Sequence, residues 1–506
     1  MSVKLLKFNL SVCLEVKDPR LTRMVSDFLD KFYTSKQQGF GANQDTDDKM
    51  FASRVKNSGV FFLHNRQFAH LYHYLKEQGI TLVAEEVEDY RDYIVKKTKY
   101  KVREGWKLRD AQVPVSEFLL DDPSGSKLVP LATGSGKTAT ALITLGALKK
   151  RFAIIILPFL MDKWVLDIVE IHEANTEDVL LVQGFKALAT LIDMAKEGDV
   201  NCDYFLISNR TMQDFIKAYE ADPEGCIEIY GCSPIELFPL LGIGVLLIDE
   251  VHMSFHSVFK TLIHTNVEFQ IGLSATLLSE DPLVTRIHNV VYKKENVYGD
   301  RMIQKYADVY PITYNIQEDK MRFIKTANYG SKNYSHIAYE QSIMKNHSLL
   351  QSYFKLIESV AEDYFNQFYM ENDKLIIFVS TIKFATILTE RMEQFFPKLL
   401  VSRYCEKDLY DEMIKADVIV TTVLSAGTGL DIPNLRVGIQ TVCISSTVMN
   451  IQSLGRLRKL KDRDVKFCYL YTNNIPKQYQ YHRKRMEIFA DRVATITQRR
   501  SRVDLR

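Results

Sequence analysis

Net charge is almost absent from this chain of 506 residues, because 65 Lys and Arg side chains are balanced by 63 Asp and Glu side chains. A formal charge of +2 excludes recognition of a polyanion by overall charge, so any nucleic-acid contact must come from local basic patches. Apolar residues make up 46% of the chain, which is ordinary for a globular protein. At this length we expect about three domains, each with its own core.

Closely spaced cysteines and long apolar runs are also lacking. The closest pair among the seven cysteines, Cys226 and Cys232, lacks the spacing of zinc ligands, and we expect all seven to be reduced thiols. The longest apolar run, 152–161, is too short to cross a bilayer. Lys4 and Lys7 interrupt the first residues, which do not resemble a secretion signal. We expect a cytoplasmic protein without a membrane partner.

A glycine-containing turn before a helix is the first candidate site. Residues 131–138 read LATGSGKT and lead into an apolar helical pattern. Such a turn leaves backbone N–H groups pointing inward, where they suit a phosphate chain. Lys137 would then reach the β- and γ-phosphates of ATP, and the Thr138 hydroxyl would hold Mg²⁺. Leu131 stands where the pattern usually has its first glycine, and a plain Gly/Ser turn is the alternative.

An apolar run that ends in two acids supplies the second half of a nucleotide site. Residues 245–252 read VLLIDEVH. A parallel strand buried on both faces has this composition, and functional groups lie at its carboxyl end. Asp249 would bind Mg²⁺ through water, and Glu250 would act as base toward the attacking water. A solvated turn is the alternative, which we disfavour because both halves of an ATP site occur in the right order.

The first hundred residues predict a small α+β domain without a catalytic constellation. Apolar and polar residues alternate from Leu6 to Val16, which predicts one long half-buried strand. Asp18 and Pro19 then begin a helix, and a further strand, helix and strand follow. We expect this domain to be separate from the ATP machinery and to recognise or position a substrate.

A basic segment follows, in which Lys and Arg side chains between 96 and 109 are opposed by a single acid, Glu104. Tyr100 and Trp106 are interleaved, so the segment could clamp phosphates and stack on bases; a solvated linker is the alternative. It runs into the pentapeptide LRDAQ. There Gln112 could read adenine, and Arg109 could stack or contact a phosphate.

Apolar strands then alternate with helical segments up to about residue 300, which predicts a parallel doubly wound sheet. Ser274 and Thr276 follow the last strand, where their hydroxyls could couple the ATP site, through His252, to a nucleic-acid groove. An ordinary Ser/Thr turn is the alternative. The predicted strands are 152–158, 179–182, 204–208, 245–248 and 270–273.

A second series of strands predicts another α/β domain, which has no phosphate loop. Arginines in such a domain suit fingers that reach a nucleotide across a cleft, with an exposed basic helix as the alternative. Residues 477–506 carry further Lys and Arg side chains and predict a helix packed back on this domain. The segments concerned are the strands 311–316, 375–379, 417–422 and 437–444, a polar glycine-containing turn at 421–431, and the Gln/Arg segment 452–458.

Taken in order, these segments resemble the motifs of a superfamily 2 DExH helicase over about residues 105–470. The compact length and the small amino-terminal domain look most like the UvsW-type recombination helicases of bacteriophages. The matching segments are 108–112 (Q motif), 131–138 (I), 156–164 (Ia), 207–212 (Ib), 249–252 (II), 274–276 (III), 376–380 (IV), 421–431 (V) and 452–458 (VI).

The resemblance implies an α/β fold with two RecA-like doubly wound parallel-sheet domains, ATP and Mg²⁺ between them, and a nucleic-acid strand across both. We expect a small α+β accessory domain over 1–100, RecA-like domains over 101–305 and 306–475, and a basic helical tail over 476–506.

Family roles transfer to the matching positions. The nucleotide and Mg²⁺ would be held by Arg109, Gln112, Thr133, Gly134, Ser135, Gly136, Lys137, Thr138, Asp249, Gly429 and Asp431. Catalysis would rest on Lys137, Asp249, Glu250, Gln452, Arg456 and Arg458. Coupling to movement would rest on His252, Ser274 and Thr276. The nucleic acid would contact Pro158, Lys163, Asn209, Arg210, Ser380, Thr422 and Gly427. The family places its second arginine finger where Lys459 stands, one residue after Arg458, so the identity of that finger stays open.

The function implied by the resemblance is that of a monomeric, ATP-dependent DNA helicase with 3′→5′ polarity. It would unwind or branch-migrate forked and Holliday-type DNA in recombination, repair or replication-fork processing, in the host cytoplasm if a phage encodes it. Two alternatives stay open. One is a double-strand DNA translocase or an RNA helicase, since the expected contacts go to backbone phosphates. The other is an ATP-gated nucleic-acid binding module that does not unwind.

Overall fold

The computed structural model describes residues 1–35, 49–98, 100–131, 135–274, 282–299, 305–327, 333–405, 408–423, 425, 432–460 and 462–506. The described residues form two compact units, the first up to residue 299 and the second from residue 305. The predicted α/β class is confirmed, because each unit contains a parallel sheet with helices on both faces. The four-part division with its boundaries stays a prediction.

The first unit begins with a mixed sheet in the order β5-β6-β2-β1-β7 and a separate β3-β4 pair. Phe8 N–H donates to the Ser11 carbonyl at 2.9 Å, and this turn divides the expected long strand into an antiparallel hairpin. Phe8 and Leu10 are buried inside the turn, so the apolar alternation continues through it. The strands are β1 (Ser2–Lys7), β2 (Ser11–Val16), β3 (Thr34–Ser35), β4 (Lys49–Met50), β5 (Ser53–Arg54), β6 (Val60–His64) and β7 (Val83–Asp89), and the helices are α1 (Pro19–Phe32) and α2 (Asn65–Glu77).

The parallel sheet of the first unit has the order β10-β11-β9-β12-β13-β8. Apolar clusters cover both of its faces, which explains the near-continuous apolar strand sequences. The predicted strands are confirmed, and the sequence did not predict β8. The elements are α3 (Val113–Leu120), β8 (Gly125–Pro130), α4 (Lys137–Leu148), β9 (Phe152–Ile156), α5 (Met161–Ile171), β10 (Val179–Val182), α6 (Phe185–Glu197), β11 (Tyr204–Ser208), α7 (Asn209–Ala221), α8 (Pro223–Tyr230), α9 (Pro234–Leu241), β12 (Val245–Ile248), α10 (Phe255–Ile263), β13 (Phe269–Ser274) and α11 (Pro282–Val291).

One apolar core runs from the mixed sheet into a face of this parallel sheet. The Phe51 ring contacts Phe255 and Phe259 of α10, with centroid distances of 6.1 and 5.7 Å. Arg66 donates to the carbonyl of Asn289 in α11 at 3.0 Å. Because α10 and α11 follow the second and third predicted ATP motifs, the amino-terminal part packs on helices next to that machinery, while its separation as a domain stays a prediction.

The basic segment 96–109 lies along the amino-terminal ends of the parallel strands. Lys97 forms an isolated bridge with Lys150, just before β9, and the Tyr100 hydroxyl donates to the Asp203 carbonyl, just before β11. Tyr100 and Trp106 pack on the apolar core. Their rings are therefore part of the packing of this unit, while stacking on bases stays a prediction.

The second unit has a parallel sheet in the order β16-β17-β15-β18-β19-β14-β20, with β21 also paired to β14. The sequence did not predict β16 or β19. The elements are β14 (Ala307–Tyr314), α12 (Glu318–Met321), α13 (His336–Met344), α14 (His347–Tyr364), β15 (Lys374–Val379), α15 (Ile382–Phe395), β16 (Val401–Tyr404), α16 (Tyr410–Lys415), β17 (Val418–Thr422), β18 (Leu435–Gln440), α17 (Thr447–Leu454), β19 (Val465–Thr472), α18 (Pro476–Ala490), β20 (Thr495–Ile496) and β21 (Arg499–Arg500).

The carboxyl-terminal tail is helical only up to Ala490. Beyond it, β20 and β21 join the sheet edge, with Arg499 paired to Ile312 of β14, so the expectation of a wholly helical tail is wrong. Arg485 of α18 is buried 4.4 Å from the Tyr469 ring centroid, whereas Arg483 of the same helix is exposed. All seven cysteines are free thiols. Among the described residues, no helix is both long enough and apolar enough to cross a membrane.

Candidate functional site

The phosphate loop and the Q-motif segment contact each other directly. Gly136 begins α4 with φ +83°, and Gln112 Nε2 donates to the carbonyls of Ser135 and Gly136, both at 3.2 Å. Gln112 Oε1 accepts from the N–H of Arg109 at 2.9 Å. A Cβ at position 136 would lie 2.2 Å from Gln112 Nε2 and 2.9 Å from Arg109 Nη2. The position therefore favours glycine for its backbone angle, and a Cβ there would displace the Gln112 amide from the loop.

Two further residues assigned to this loop, Thr133 and Gly134, lie outside the described residues. Gln112 is buried and its amide is engaged with the loop. The geometry thus brings the predicted adenine-reading side chain to the start of α4, while adenine recognition itself stays a prediction.

Lys137 is the first residue of α4 and faces Glu250. Its Nζ lies 3.8 Å from Glu250 Oε1, and the two side chains are only 10% and 6% exposed. Within the described part of the chain, Nζ has no hydrogen-bond partner. A buried ammonium group without hydrogen bonds is costly, and phosphate oxygens would satisfy it. Lys137 therefore fits an anionic ligand on the loop, and Thr138 adds a half-buried hydroxyl in the same turn.

Asp249 is held by two hydrogen bonds at the carboxyl end of β12. Its Oδ1 accepts from the N–H of Glu250 at 2.9 Å, and its Oδ2 accepts from Trp164 Nε1 at 3.0 Å. Burial, and next the neighbouring Glu250 charge, raises the pKa of Asp249 to about 6. A nearby cation would favour the ionised carboxylate. The site thus suits a divalent ion, and Trp164 is a hydrogen-bond partner of Asp249 that sequence reasoning did not assign.

The oxygen atoms of Thr138 and Asp249 suit Mg²⁺, an ion that proteins usually bind with only one or two of their own ligands. The described residues contain no cluster of three or more His, Cys, Asp and Glu side chains suited to a metal ion. Mg²⁺ is usually bound by one or two protein oxygens together with water and substrate phosphates. The Thr138 hydroxyl and the Asp249 carboxylate would supply such oxygens.

Glu250 stands at a sharp bend between β12 and the 3₁₀ turn Val251–Met253, with φ +49° and ψ +47°. This left-handed conformation is uncommon for a residue with a side chain and is found at functional sites. His252 Nδ1 lies 3.3 Å from Glu250 Oε2 and 2.9 Å from Ser274 Oγ. Burial lowers the pKa of His252, although the Glu250 carboxylate opposes this shift. The His252 imidazole therefore connects the ends of β12 and β13, and Thr276 lies outside the described residues.

The nucleic-acid residues predicted in the first unit lie at the same edge of its sheet. Ser208 pairs with Ile156, so Asn209 and Pro158 follow neighbouring strands. Arg210 is 81% exposed and lies 3.9 Å from Asp214. Lys163 is half-buried on α5. The structure places all four predicted residues on the side of Asp249, while their contact with nucleic acid stays a prediction.

In the second unit, Ser380 and Thr422 follow or end neighbouring strands, since Val379 pairs with Thr422. Ser380 N–H donates to Glu340 Oε2 at 2.9 Å, and the Thr381 hydroxyl donates to Glu340 Oε1 at 2.6 Å. Burial raises the pKa of Glu340 to about 7. This carboxyl group fixes the end of the fourth motif, and sequence reasoning did not assign it.

Further residues assigned to the fifth motif, Gly427, Gly429 and Asp431, lie outside the described residues. In the sixth motif, Gln452 of α17 and Arg456 beyond it are buried. Arg458 donates to the carbonyls of Gly455 and Leu457 in its own turn, whereas Lys459 is exposed. The fingers at these positions stay a prediction.

Comparison with known families gives one match. Residues 86–279 match the model of the family described as the type III restriction enzyme, res subunit. The matched segment spans the described parts of the phosphate loop, Asp249, Glu250 and Ser274. The matched segment lies in the first unit and covers less than half of the chain. No curated protein matches the chain by sequence.

Among solved structures, the chain is similar to Mss116p bound to ssRNA and AMP-PNP, with 14% identity, a TM-score of 0.50, and coverage of 77% of this chain and 74% of that chain. It is also similar to Dbp5 of S. cerevisiae bound to RNA and ADP BeF3, with 14% identity, a TM-score of 0.49 and coverage of 78% and 90%. The helicase Lhr of Mycobacterium smegmatis, bound to ssDNA and AMP-PNP, has 15% identity, a TM-score of 0.47 and coverage of 76% and 48%. At these identities, the likeness to Mss116p shows the fold alone.

Proposed function

We propose that the protein is a nucleic-acid-dependent ATPase of the superfamily 2 helicase type. The observation that carries the proposal is the convergence of Gln112, Gly136, Lys137, Asp249 and Glu250 at the carboxyl edge of one parallel sheet. Ligands of open α/β sheets bind at this edge. A glycine-dependent turn, a buried ammonium group and two adjacent carboxylates are the groups that nucleotide hydrolysis requires.

The residues of the first unit suggest how hydrolysis would proceed. ATP with Mg²⁺ would supply the phosphoanhydride bond and the charge neutralisation that its cleavage needs. Phosphate oxygens on the loop would compete with Glu250 for Lys137, which now lies 3.8 Å from that carboxylate. Glu250 would then be released to orient and deprotonate the attacking water. His252, within 3.3 Å of Glu250 and 2.9 Å of Ser274, would transmit this change to the segment after β13.

The finer proposal is a DNA helicase or translocase that acts on forked or branched DNA in recombination, repair or replication-fork processing. It rests on the order of the motifs and on the resemblance to UvsW-type enzymes. We further propose 3′→5′ polarity, a monomeric protein and a cytoplasmic location. An RNA helicase is the second candidate, because Mss116p, whose fold the chain resembles, is bound to ssRNA.

One substrate panel tests the proposal. ATP hydrolysis is measured without nucleic acid and with single-stranded DNA, duplex DNA, forked DNA, a four-way junction and RNA, alongside strand displacement. Greatest stimulation and strand displacement with forked or four-way DNA would support the finer proposal. Stimulation by RNA alone would favour the second candidate. ATP hydrolysis that no nucleic acid stimulates would overturn the proposal, with Lys137→Ala as the blank for contaminating ATPase.

A further inference from the structure

A groove lies between helix α13 and the segment 322–327 in the second unit. It encloses about 340 Å³, within the range of small-ligand sites. Phe323 and Lys325 line one side, and Gln341, Lys345 and Asn346 line the other. The segment is fixed on the helix, since Lys325 N–H donates to Ser342 Oγ at 3.1 Å. None of these residues belongs to the motifs that the sequence singled out.

The chemistry of the groove is that of an anion site with a flat apolar wall. Among the described residues that line it, the charged side chains are Lys325 and Lys345, and both are positive. The Phe323 ring is 41% exposed, and the Arg322 guanidinium lies 4.8 Å from its centroid. Gln341 is exposed one helical turn before Lys345, with an amide that can donate and accept. Cations, an exposed ring and an amide together suit a phosphate joined to an aromatic base.

The groove also lies close to a residue that we expect to contact nucleic acid. Glu340, which precedes Gln341 on α13, accepts hydrogen bonds from Ser380 and Thr381 at the end of β15. Glu340 is buried whereas Gln341 is exposed, so the helix presents one side to the fourth motif and another to the groove. The separation is about the diameter of a helix, roughly 10 Å. A strand that crosses Ser380 therefore has the groove within reach.

We infer that the groove binds one nucleotide unit of the nucleic-acid strand, next to the fourth motif. Lys325 and Lys345 contact its phosphate, Phe323 stacks on its base, and Gln341 hydrogen-bonds to the base or the sugar. The inference rests on the proposed function and adds a contact outside the motifs. Because stacking tolerates every base and lysine reads only charge, this contact holds the strand without sequence preference.

Binding of labelled single-stranded DNA and RNA to the full-length protein tests the inference, by fluorescence anisotropy between about 50 and 200 mM salt. We expect Lys325→Ala and Lys345→Ala each to lower the slope of log affinity against log salt by about 1. Phe323→Ala should weaken binding about tenfold. The matched control is Lys398→Ala, an equal charge change at an exposed lysine between α15 and β16, which should leave affinity and slope unchanged.

Each outcome decides between the groove and the proposed function. If the wild-type protein binds the strand and the three groove variants bind as the Lys398→Ala variant does, the inference is wrong and the proposed function stands. If the wild-type protein binds neither DNA nor RNA, the proposed function is wrong, and the inference, which rests on it, is wrong as well. Competition with AMP separates a strand from a free nucleotide. AMP binding that the groove variants lose while strand affinity is retained would overturn the assignment to a strand. Equal melting temperatures and equal basal ATP hydrolysis confirm that the variants fold.

Discussion

The indole N–H of Trp164 donates a hydrogen bond to Asp249 Oδ2 at 3.0 Å. The two residues are 85 positions apart, on α5 and at the end of β12. This bond favours the ionised form of a carboxyl group whose pKa burial otherwise raises. The charge that is proposed to hold Mg²⁺ thus depends in part on a residue of another helix.

We expect Trp164→Phe to increase the Mg²⁺ concentration needed for half-maximal ATP hydrolysis several-fold. The substitution keeps most of the ring volume but removes the donor, which costs about 1–3 kcal/mol at a buried acceptor. Titration of Mg²⁺ at saturating ATP measures the effect. Trp106→Phe is the control, since Trp106 packs on the apolar core, whereas Asp249 accepts its hydrogen bonds from Trp164 and Glu250. Identical Mg²⁺ titration curves for the two variants would show that the Trp164 hydrogen bond does not contribute to Mg²⁺ binding.

Lys137→Ala should abolish ATP hydrolysis, whereas Glu250→Gln should keep ATP binding and slow turnover by about 10²-fold or more. The amide keeps the size of Glu250 but cannot accept the proton of the attacking water. Fluorescent-nucleotide binding and single-turnover hydrolysis separate the two effects. A Glu250→Gln enzyme with near-normal turnover would assign the base to another group.

Gly136→Ala should lose nucleotide binding to a degree that backbone strain alone does not explain. Gly105 offers a matched control, because it also has positive φ (+98°), while a Cβ there would meet no atom within 4 Å. Gly105→Ala therefore carries only the backbone cost of about 1 kcal/mol. The Ala at 136 would in addition displace the Gln112 amide from the loop. Equal ATP affinities in the two variants would show that the Gln112 contact is dispensable.

The stability of the second unit should depend on pH through Glu340. Its pKa is raised by burial from 4.5 to about 7, so the folded chain keeps this proton up to a higher pH than the unfolded chain does. The protonated Glu340 side chain thus adds to the free energy of unfolding at low pH, and this contribution is lost as pH rises through about 5 to 7.

Relative to Glu340→Gln, the wild-type protein should lose about 3 kcal/mol of unfolding free energy between pH 4.5 and pH 8. Denaturant unfolding of both proteins across this pH range measures the difference in unfolding free energy. A constant shift of this difference by the amide does not alter its dependence on pH. A Glu358→Gln variant is the control, since that carboxylate pairs with Arg391 and its side chain is 12% exposed, whereas Glu340 is fully buried and has no such cationic partner among its hydrogen-bond donors, Ser380 and Thr381. A flat difference with pH would mean that folding does not raise the pKa of Glu340.

Sequence reasoning located the strands of both parallel sheets where each strand is one apolar run buried on both faces. It also placed Lys137, Asp249 and Glu250 at strand or helix ends, where the structure has them. It failed where the local pattern is ambiguous: the alternation from Leu6 to Val16 continues through the turn at Phe8. It did not predict that the aromatic rings of the basic segment pack on the core, because composition alone does not show which side of a segment faces the core.

Other features could not be read from sequence because they depend on partners far along the chain. Glu340 and Ser380 are 40 positions apart, and nothing in the sequence around Glu340 marks it as a buried acid. Trp164 ends a recognised motif, but its hydrogen bond is made only after α5 packs beside β12. Gln112 was assigned to adenine, and its contact with the phosphate loop follows from the position of α3 relative to α4.

Side chains from the mixed amino-terminal sheet and from α10 fill a common interior. Truncation at about residue 95 would therefore leave Phe255 and Phe259 facing water, and the shortened chain should aggregate instead of retaining hydrolysis. The first 299 residues should melt as a single calorimetric transition. Substitutions around Phe51 that lower the melting temperature would then abolish ATP hydrolysis on heating, although these residues belong to the apolar core and not to the proposed nucleotide site.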